Sequence, residues 1–206
     1  DPDLARILRP HQIEGVKFMY EAVTGISSLE QGHTTPGQGA ILADEMGLGK
    51  TLQTIALIAT LLRQNCYFSN IRPGTVEKVL IVCPLTLEVN WKREFRKWIG
   101  RSSIGVLAVE GDGRKEVDRF VSHRQYQVLI LGYERLRNCV QELSRAMPGV
   151  GLVVCDEGHR LKSKDTKTTK CFDLLPTRRR ILLTGTPIQN DLREFYTMVD
   201  FVYPGL

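Results

Sequence analysis

Six short apolar runs, separated by stretches with helical spacing, limit the possible folds of this chain more than any other feature. The runs are near-continuous rather than alternating in hydrophobicity, which is typical of strands buried on both faces of a parallel sheet. Strand–helix alternation of this kind predicts a doubly wound α/β fold, with a mainly parallel sheet and helices on both faces. The predicted strands cover residues 40–43, 79–83, 104–109, 128–131, 152–155 and 181–183.

Between these runs, two segments carry apolar residues at helical spacing, over 51–63 and 86–99. Two others, 24–39 and 65–78, are rich in turn-forming residues and predict loops. No apolar run approaches the roughly 20 residues that a bilayer-spanning helix needs, so we expect no membrane partner. Because residues 201–206 directly follow an apolar segment, we expect the sequence to be part of a longer protein.

The strongest local motif lies between the first predicted strand and the first predicted helix, which is the context of a phosphate-binding loop. Its glycines let the backbone approach phosphate oxygens, and the helix N-terminus directs N–H groups at the anion. Lys50 would neutralise the β- and γ-phosphates, and Thr51 would give a hydroxyl to Mg²⁺. The common pattern G-x-x-x-x-G-K-[ST] has glycine where this chain has Asp44. The predicted loop comprises Asp44, Glu45, Met46, Gly47, Leu48, Gly49, Lys50 and Thr51.

Two adjacent carboxylates, Asp156 and Glu157, follow the fifth predicted strand. Ligands of open α/β sheets bind outside the carboxyl ends of the strands. Asp156 can therefore hold the Mg²⁺ shell, and Glu157 can orient and deprotonate an attacking water. By itself such a pair is also common at a helix N-terminus, but together with the phosphate loop it predicts the second half of an ATPase site.

Two weaker motifs accompany these. Thr184-Gly185-Thr186-Pro187 follows the sixth predicted strand, so we expect a third loop at the same sheet edge, although the tetrapeptide alone is usually only a turn. Arg9-Pro10-His11-Gln12 precedes the phosphate loop, with proline well placed at a helix start. The amide of Gln12 has a donor and an acceptor and can read an adenine edge; a surface glutamine is the alternative.

These four motifs, in this order, resemble the superfamily-two helicase-like ATPases. Three segments have sequences similar to the Swi/Snf branch: residues 44–51, Asp156-Glu157-Gly158-His159 and residues 184–190. In that branch, aspartate is the normal residue at the position of Asp44. Two further segments, residues 8–12 and 188–192, look closest to the recombination-repair translocase subgroup of the branch. The resemblance implies that 1–206 form the N-terminal RecA-like ATP-binding lobe of a two-lobed motor whose second lobe, with its arginine finger, is absent from this sequence. It also implies ATP and Mg²⁺ as cofactors.

The resemblance assigns roles to matching positions. Arg9, Gln12 and residues 44–51 would bind the nucleotide, Thr51 and Asp156 the metal, and Lys50 and Glu157 would be catalytic. His159 with Thr184, Gly185 and Thr186 would couple hydrolysis to DNA and to the second lobe. The DNA-facing positions would be Pro84, Lys92 and Tyr133.

The expected partners are double-stranded DNA, the second lobe, and a strand-exchange recombinase or chromatin, in the nucleus. A net charge of +5 is compatible with a polyanion but would also suit an ordinary basic protein. We expect phosphate-backbone contacts without base readout, because the basic residues are not interleaved with stacking aromatics. Trp91 and Trp98 instead fit a core stripe, and Arg178-Arg179-Arg180 predicts a solvated turn. The basic residues concerned are Lys92, Arg93, Arg96, Lys97, Arg101, Arg160, Lys162, Lys164, Lys167 and Lys170.

Other functions remain open at this stage. A nucleosome-remodelling motor of the same branch and a nucleotide-switched module without significant hydrolysis are alternatives. An RNA helicase of the same superfamily is disfavoured by the Gly158-His159 wording and by the context of Gln12. A sequence-specific DNA-binding domain is the least favoured, since the sequence has no recognition-helix or zinc signature. Five cysteines, none at C-x-x-C spacing, argue against a disulfide framework or zinc site and favour a reducing compartment. Cys83 and Cys155 end apolar runs and are expected in the core.

Overall fold

One parallel sheet of six strands organises the described part of the chain. A computed structural model describes residues 2–26, 37–66, 74–100, 104–109, 111, 113–158, 161, 167–185 and 192–205. The strands lie in the order β1-β6-β5-β2-β4-β3, and every neighbouring pair is parallel. Their bounds are β1 Ala40–Leu42, β2 Lys78–Cys83, β3 Gly105–Ala108, β4 Tyr126–Gly132, β5 Val150–Cys155 and β6 Arg180–Leu183.

Helices cover both faces of the sheet, which confirms the predicted doubly wound fold. The first four helices pack on one face, where Val79, Ile81 and Val154 point into a shared core, and the last four pack on the other, against Leu80, Val82 and Val153. The helices are α1 Pro2–Ile7, α2 Pro10–Thr24, α3 Lys50–Arg63, α4 Glu88–Ile99, α5 Arg114–Ser122, α6 Tyr133–Ser144, α7 Lys167–Phe172 and α8 Leu192–Val202.

Alternating faces explain why the strands have no polar side. Every residue of β2 and β6 is buried, because successive side chains enter the two cores in turn. Cys83 and Cys155 lie fully inside, as predicted, and burial raises the pKa of both thiols well above the usual range. All five cysteines are free thiols. None of the described helices combines the length and apolar content that would let it span a bilayer.

One predicted helix begins later than the sequence pattern indicates. The segment predicted as one helix over 86–99 begins with a 3₁₀ turn, Leu85–Leu87, in which Leu87 N–H donates to Pro84 O at 2.8 Å, and the α-helix starts only at Glu88. Tight first turns of this kind are frequent at helix N-termini. The predicted loops 24–39 and 65–78 are described only in part.

The arginine triplet before β6 is not the solvated turn that its charge predicts. Arg178 is exposed, but Arg179 Nε donates to Val23 O at 2.7 Å and Arg180 is 6% exposed. The Arg180 guanidinium donates to Phe172 O at 2.8 Å and to Phe201 O at 3.4 Å, and it lies against the Phe201 ring. Two arginines therefore tie helices to the amino edge of the sheet, because alternation along β6 turns Arg180 into the second core.

A second cation is buried at this amino edge. Lys78, the first residue of β2, is fully buried, and its ammonium group donates to the carbonyl oxygens of Phe120, of His123 at 3.1 Å and of Tyr126 at 3.2 Å. These acceptors lie at the end of α5 and the start of β4. Burial lowers the pKa of Lys78 to about 8; Glu77 opposes this shift and Arg124 adds to it.

Candidate functional site

The segments that follow β1 and β5 meet at the carboxyl edge of the sheet and line one cleft of about 620 Å³. Helices α1, α2 and α4 complete its walls. Lys50 and the acid pair Asp156 and Glu157, far apart in sequence, line this same cleft. The predicted site residues that also line it are Arg9, Gln12, Met46, Gly47, Leu48, Gly49 and Thr51.

Two glycines shape the loop between β1 and α3. Gly47 has φ 87° and Gly49 has φ 84°, a left-handed conformation that costs other residues energy. A β-carbon on Gly47 would meet no atom within 4 Å, so backbone conformation alone requires glycine there. A β-carbon on Gly49 would in addition collide with the Gln12 side-chain amide. The loop thus leads the chain into α3 at Lys50, and the first residues of that helix, whose N–H groups have no intrahelical acceptor, line the cleft.

Lys50 folds back over its own loop. Its ammonium group donates to Asp44 O at 2.5 Å and to Glu45 O at 3.1 Å. The side chain is half-buried rather than enclosed. An anion in the loop would offer stronger, charged acceptors than these two carbonyl oxygens, so the lysine is held close to the position from which it could bind a phosphate.

Asp44, the residue that replaces the usual first glycine, has a partner in α3. Gln53 Nε2 donates to Asp44 Oδ2 at 2.9 Å. Gln53 is fully buried, and its Oε1 lies directly over Gly15 of α2, where a β-carbon would displace it. Sequence reasoning missed Gln53; the available signal was an amide within the most apolar helix of the chain.

Gln12 is in the cleft but its amide is already engaged. Nε2 donates to Leu48 O at 3.0 Å, and Oε1 accepts from the backbone N–H of Arg9 at 3.0 Å. The side chain is 7% exposed. This excludes the free surface glutamine that was the alternative; adenine recognition stays a prediction, and the visible role of the amide is to join the start of α2 to the loop.

Asp156 is held on several sides. Its Oδ2 accepts from Trp91 Nε1 at 2.8 Å and its Oδ1 from the backbone N–H of Glu157 at 2.9 Å. Tyr133 Oη donates to the Asp156 carbonyl oxygen at 2.7 Å. Burial raises the pKa of the Asp156 carboxyl and Glu157 adds to the rise, while the Trp91 and Glu157 hydrogen bonds and the charge of Lys50 oppose it. The interpretation of Trp91 as a core residue is therefore incomplete, because it also binds the acid.

Glu157 has φ 52°, and it is the one non-glycine residue with positive φ among the described positions. Such a conformation costs about 1 to 3 kcal/mol and persists where the surroundings fix it. Here Asp156 N–H donates to Val82 O at 2.8 Å before Glu157, and buried Gly158 packs directly on Leu182 after it. The turn directs the second carboxylate into the cleft beside the first.

The loop after β6 approaches the same rim. Thr184 is 1% exposed, and its N–H donates to Leu42 O at 3.2 Å, which joins the ends of β6 and β1. A β-carbon on Gly185 would lie 3.1 Å from Met46 Cγ, so this loop touches the phosphate-loop segment. The other two residues of the predicted coupling set, His159 and Thr186, lie outside the described residues.

The side chains at this edge of the cleft could supply a few oxygen ligands, which suits Mg²⁺ better than a metal ion whose ligands all come from the protein. Among the described residues, no three His, Cys, Asp or Glu side chains cluster as a metal site. Thr51 and Asp156 both face the cleft and supply hard oxygen donors. Mg²⁺ is commonly bound by one or two such protein oxygens, with waters and substrate phosphates as its other ligands.

The predicted DNA-facing residues divide by burial. Lys92 is exposed on α4, as are Arg93, Arg96 and Lys97, whereas Pro84 and Tyr133 are buried. Because the Tyr133 hydroxyl is directed at the Asp156 backbone, we expect Pro84 and Tyr133 to shape their loops rather than to present side chains to a polymer. Of the second basic group, Lys167 and Lys170 are exposed; Arg160, Lys162 and Lys164, like Arg101 of the first group, lie outside the described residues.

Comparison with known proteins gives consistent matches over nearly the whole chain. A family model described as the SNF2-related domain matches residues 11–206. The DNA repair and recombination protein RDH54 of Saccharomyces cerevisiae (strain YJM789) is 44% identical over 234 residues, covering 100% of this chain and 25% of that protein. The DNA repair and recombination protein RAD54B of Gallus gallus is 48% identical over 206 residues, covering 100% of this chain and 21% of that protein.

A solved structure has the same architecture. The SWI2/SNF2 ATPase core of Sulfolobus solfataricus in complex with dsDNA superposes with a TM-score of 0.73 at 30% identity, covering 96% of this chain and 36% of that one. This chain therefore spans a quarter or less of the two curated relatives and about a third of the solved core.

Proposed function

Because the chain belongs to the family of SNF2-related domains, we propose that it is the ATP-binding lobe of a motor that translocates along double-stranded DNA in recombination repair. Membership confirms the resemblance to the Swi/Snf branch, and the names of the relatives agree with the recombination-repair subgroup. A lobe of this family uses a nucleotide, and the cleft at the carboxyl edge is the proposed binding site.

Triphosphate binding would begin with an exchange of acceptors at Lys50. In the described structure its ammonium group is bonded to the Asp44 and Glu45 carbonyl oxygens. Phosphate oxygens would displace these neutral acceptors, since charge-assisted hydrogen bonds are roughly twice as strong. The N–H groups at the start of α3 and the loop glycines would receive the remaining oxygens.

Thr51 and Asp156 would hold Mg²⁺. When bound, that ion supplies charge neutralisation between the β- and γ-phosphates. The Asp156 carboxylate is already oriented by Trp91 and by the Glu157 backbone, which limits its reorganisation on binding. Glu157, the next residue, would position the attacking water and accept its proton.

One observation carries this proposal: Lys50 and the Asp156–Glu157 pair line a single cleft although they follow β1 and β5, which are separated in the sheet by β6. The test is Glu157→Gln in the full-length protein. We expect DNA-stimulated ATP turnover to fall by about 10² to 10⁴-fold, the usual contribution of a general base, while ATP binding persists. Glu142→Gln, on the exposed side of α6, is the matched control.

Unchanged turnover in Glu157→Gln would instead favour a nucleotide-switched module, the second candidate function. Lys50 and both acids are present together in the cleft, which supports hydrolysis over such a module. Within the motor class, comparing duplex DNA with RNA as activators of the full-length protein separates the translocase from an RNA helicase.

For DNA, the supporting observations are the row of exposed cations on α4 and the solved structure of the SWI2/SNF2 core in complex with dsDNA. We expect log affinity to fall linearly with log salt concentration, because phosphate contacts release counterions. Lys92→Gln should reduce that slope by about 0.9, the value for one phosphate contact on B-DNA. Salt-independent binding would contradict backbone tracking.

The names of the relatives support a proposal for the partner and the compartment. A strand-exchange recombinase in the nucleus is the partner that repair and recombination proteins suggest; a nucleosome is the alternative within the branch. The 206-residue chain alone should turn over below about 1 s⁻¹ even with DNA, because an arginine finger supplied by a second lobe contributes about 10³ to 10⁵ in rate. Faster turnover by the 206-residue chain alone would contradict the requirement for an arginine finger from a second lobe.

A further inference from the structure

Two hydrogen bonds reach Asp156 from parts of the chain that are not in the phosphate loop. Trp91, in α4 after β2, donates its indole N–H to Asp156 Oδ2 at 2.8 Å. Tyr133, at the junction of β4 and α6, donates its hydroxyl to the Asp156 carbonyl oxygen at 2.7 Å. The donors are 1% and 8% exposed, so water does not compete for either bond. The segments that follow two neighbouring strands, β2 and β4, thus each contribute one buried hydrogen-bond donor to Asp156.

These bonds determine the orientation of the carboxylate. With Trp91 on Oδ2 and the Glu157 N–H on Oδ1, each carboxylate oxygen has a donor supplied by the protein. The Tyr133 bond holds the peptide behind them. A carboxylate so constrained can rotate only if α4 or the β4–α6 junction moves with it, whereas an aspartate solvated on one side could adjust by itself.

The segments that contain the two donors, α4 and the β4–α6 junction, are joined to each other by an ion pair and form one packed unit. Glu88, at the start of α4, is 4% exposed and pairs with Arg135 of α6 at 2.7 Å. A β-carbon on Gly132, just before Tyr133, would lie 3.1 Å from Glu88 Oε1, so the carboxylate covers that junction. Arg135 donates further to Val109 O at 3.0 Å, after β3. The Glu88–Arg135 ion pair and the Arg135 hydrogen bond therefore connect the segments that follow β2, β3 and β4.

The outer face of this unit is the exposed basic side of α4, where Lys92 and Arg93 follow Trp91 directly in sequence. We propose that Trp91 and Tyr133 are positioning residues that transmit the placement of the polymer-facing segments to the acid that holds the metal. This inference rests on the proposed function. A polyanion that shifts α4 changes the affinity for magnesium-bound nucleotide, and by linkage the nucleotide changes the affinity for the polyanion by the same factor.

The test uses the full-length protein with Trp91→Phe and, separately, Tyr133→Phe. Each removes one donor and keeps an aromatic ring. We measure the Mg²⁺ concentration that half-saturates binding of a fluorescent ATP analogue, with and without duplex DNA, independently of turnover. Partners that orient a metal ligand typically contribute 10 to 100-fold in metal affinity. We expect half-saturation to rise by about tenfold in Trp91→Phe and less in Tyr133→Phe, and the effect of DNA on it to shrink in both.

Phe95→Leu is the control for packing. The Phe95 ring lies 6.3 Å from the Trp91 ring in the same buried cluster, and no hydrogen bond joins it to Asp156. This variant should lower the melting temperature and leave Mg²⁺ half-saturation unchanged. An equal shift in Phe95→Leu and Trp91→Phe would overturn the positioning role and leave only core packing. If Trp91→Phe fails to fold, Tyr133→Phe, which deletes a single oxygen, decides the question.

The outcomes also separate the two proposals. If the wild-type protein binds the analogue with Mg²⁺ dependence but neither variant changes it, the positioning role is wrong and the proposed function stands. If the wild-type protein shows no Mg²⁺-dependent binding, the proposed function fails and this inference fails with it.

Discussion

Lys50 and Lys78 make the same kind of bond at opposite edges of the sheet. Each ammonium group donates to backbone carbonyl oxygens, two for Lys50 and three for Lys78. Lys50 is half-buried beside an open cleft, whereas Lys78 is fully enclosed beneath α5. A ligand in the cleft could therefore replace the carbonyl acceptors of Lys50, whereas no ligand can reach Lys78. The two lysines differ in their access to a competing acceptor.

The surroundings of the two lysines extend this contrast. The carboxyl edge holds the left-handed glycines, the positive φ of Glu157 and the half-buried Asp156 carboxylate, whose pKa is raised by desolvation. At the amino edge, Arg180 is locked to the ends of α7 and α8 through the carbonyl oxygens of Phe172 and Phe201. The carboxyl edge has a strained backbone and desolvated groups, whose energetic cost a bound ligand can reduce. The amino edge has buried cations that join helices to strands and so stabilise the fold.

The largest expected effect comes from removing the replaceable lysine. If Lys50 binds the triphosphate as proposed, Lys50→Ala should lower DNA-stimulated turnover of the full-length protein by about 10² to 10³-fold, because the variant lacks a fixed donor to the developing phosphate charge. Its unfolding free energy, measured by urea denaturation, should stay within about 0.5 kcal/mol of wild type, since the hydrogen bond to Glu45 O is exposed and that to Asp44 O is only part-buried. A large loss of stability would show that Lys50 holds the loop together in the way that Lys78 holds α5.

The converse substitution comes next. Lys78→Met keeps the apolar stem but leaves three carbonyl oxygens without their shared donor, so we expect a loss of about 3 kcal/mol in unfolding free energy. Binding of an ATP analogue by the folded fraction should not change, because the site lies at the other edge. Lys17→Met, on the exposed side of α2, is the matched control and should have almost no effect. Weakened nucleotide binding in Lys78→Met would contradict the independence of the two edges.

The contrast also explains which parts of the molecule could be predicted from sequence. Apolar runs reveal strands because the pattern is local, and the parallel order then brings residues after β1, β5 and β6 to one edge. Gly47, Gly49 and Lys50 were predictable because a phosphate loop has a fixed spacing, and the acid pair because it follows a strand directly. Their roles in catalysis remain predictions.

The residues that were missed depend on tertiary contacts. Trp91 was placed in the core, correctly, but its indole partner is 65 positions away in sequence. Gln53 looked like a polar interruption of α3 until its amide reached Asp44. Lys78 fell in a predicted loop and Arg180 in a predicted solvated turn, because charge usually indicates exposure and only the three-dimensional arrangement supplies buried acceptors.

The smallest expected effect is a pH dependence that belongs to the amino edge alone. Burial lowers the pKa of Lys78 to about 8 against 10.5 for an ordinary lysine, which the unfolded chain has. Between these values the unfolded state binds the proton more tightly, so stability rises with pH in this window. Below about pH 8 both states are protonated and the contribution is flat.

The measurement is the difference in unfolding free energy between wild type and Lys78→Met, which cancels the other titrating groups. It should widen in favour of wild type by about 1 to 2 kcal/mol between pH 8 and pH 10, since one pKa unit corresponds to about 1.4 kcal/mol. A difference that stays constant over this range would mean that the three carbonyl oxygens offset the burial of the charge completely. In that case Lys78 and Lys50 would differ only in access to a competing acceptor, and not in the energetic cost of keeping the charge where it is.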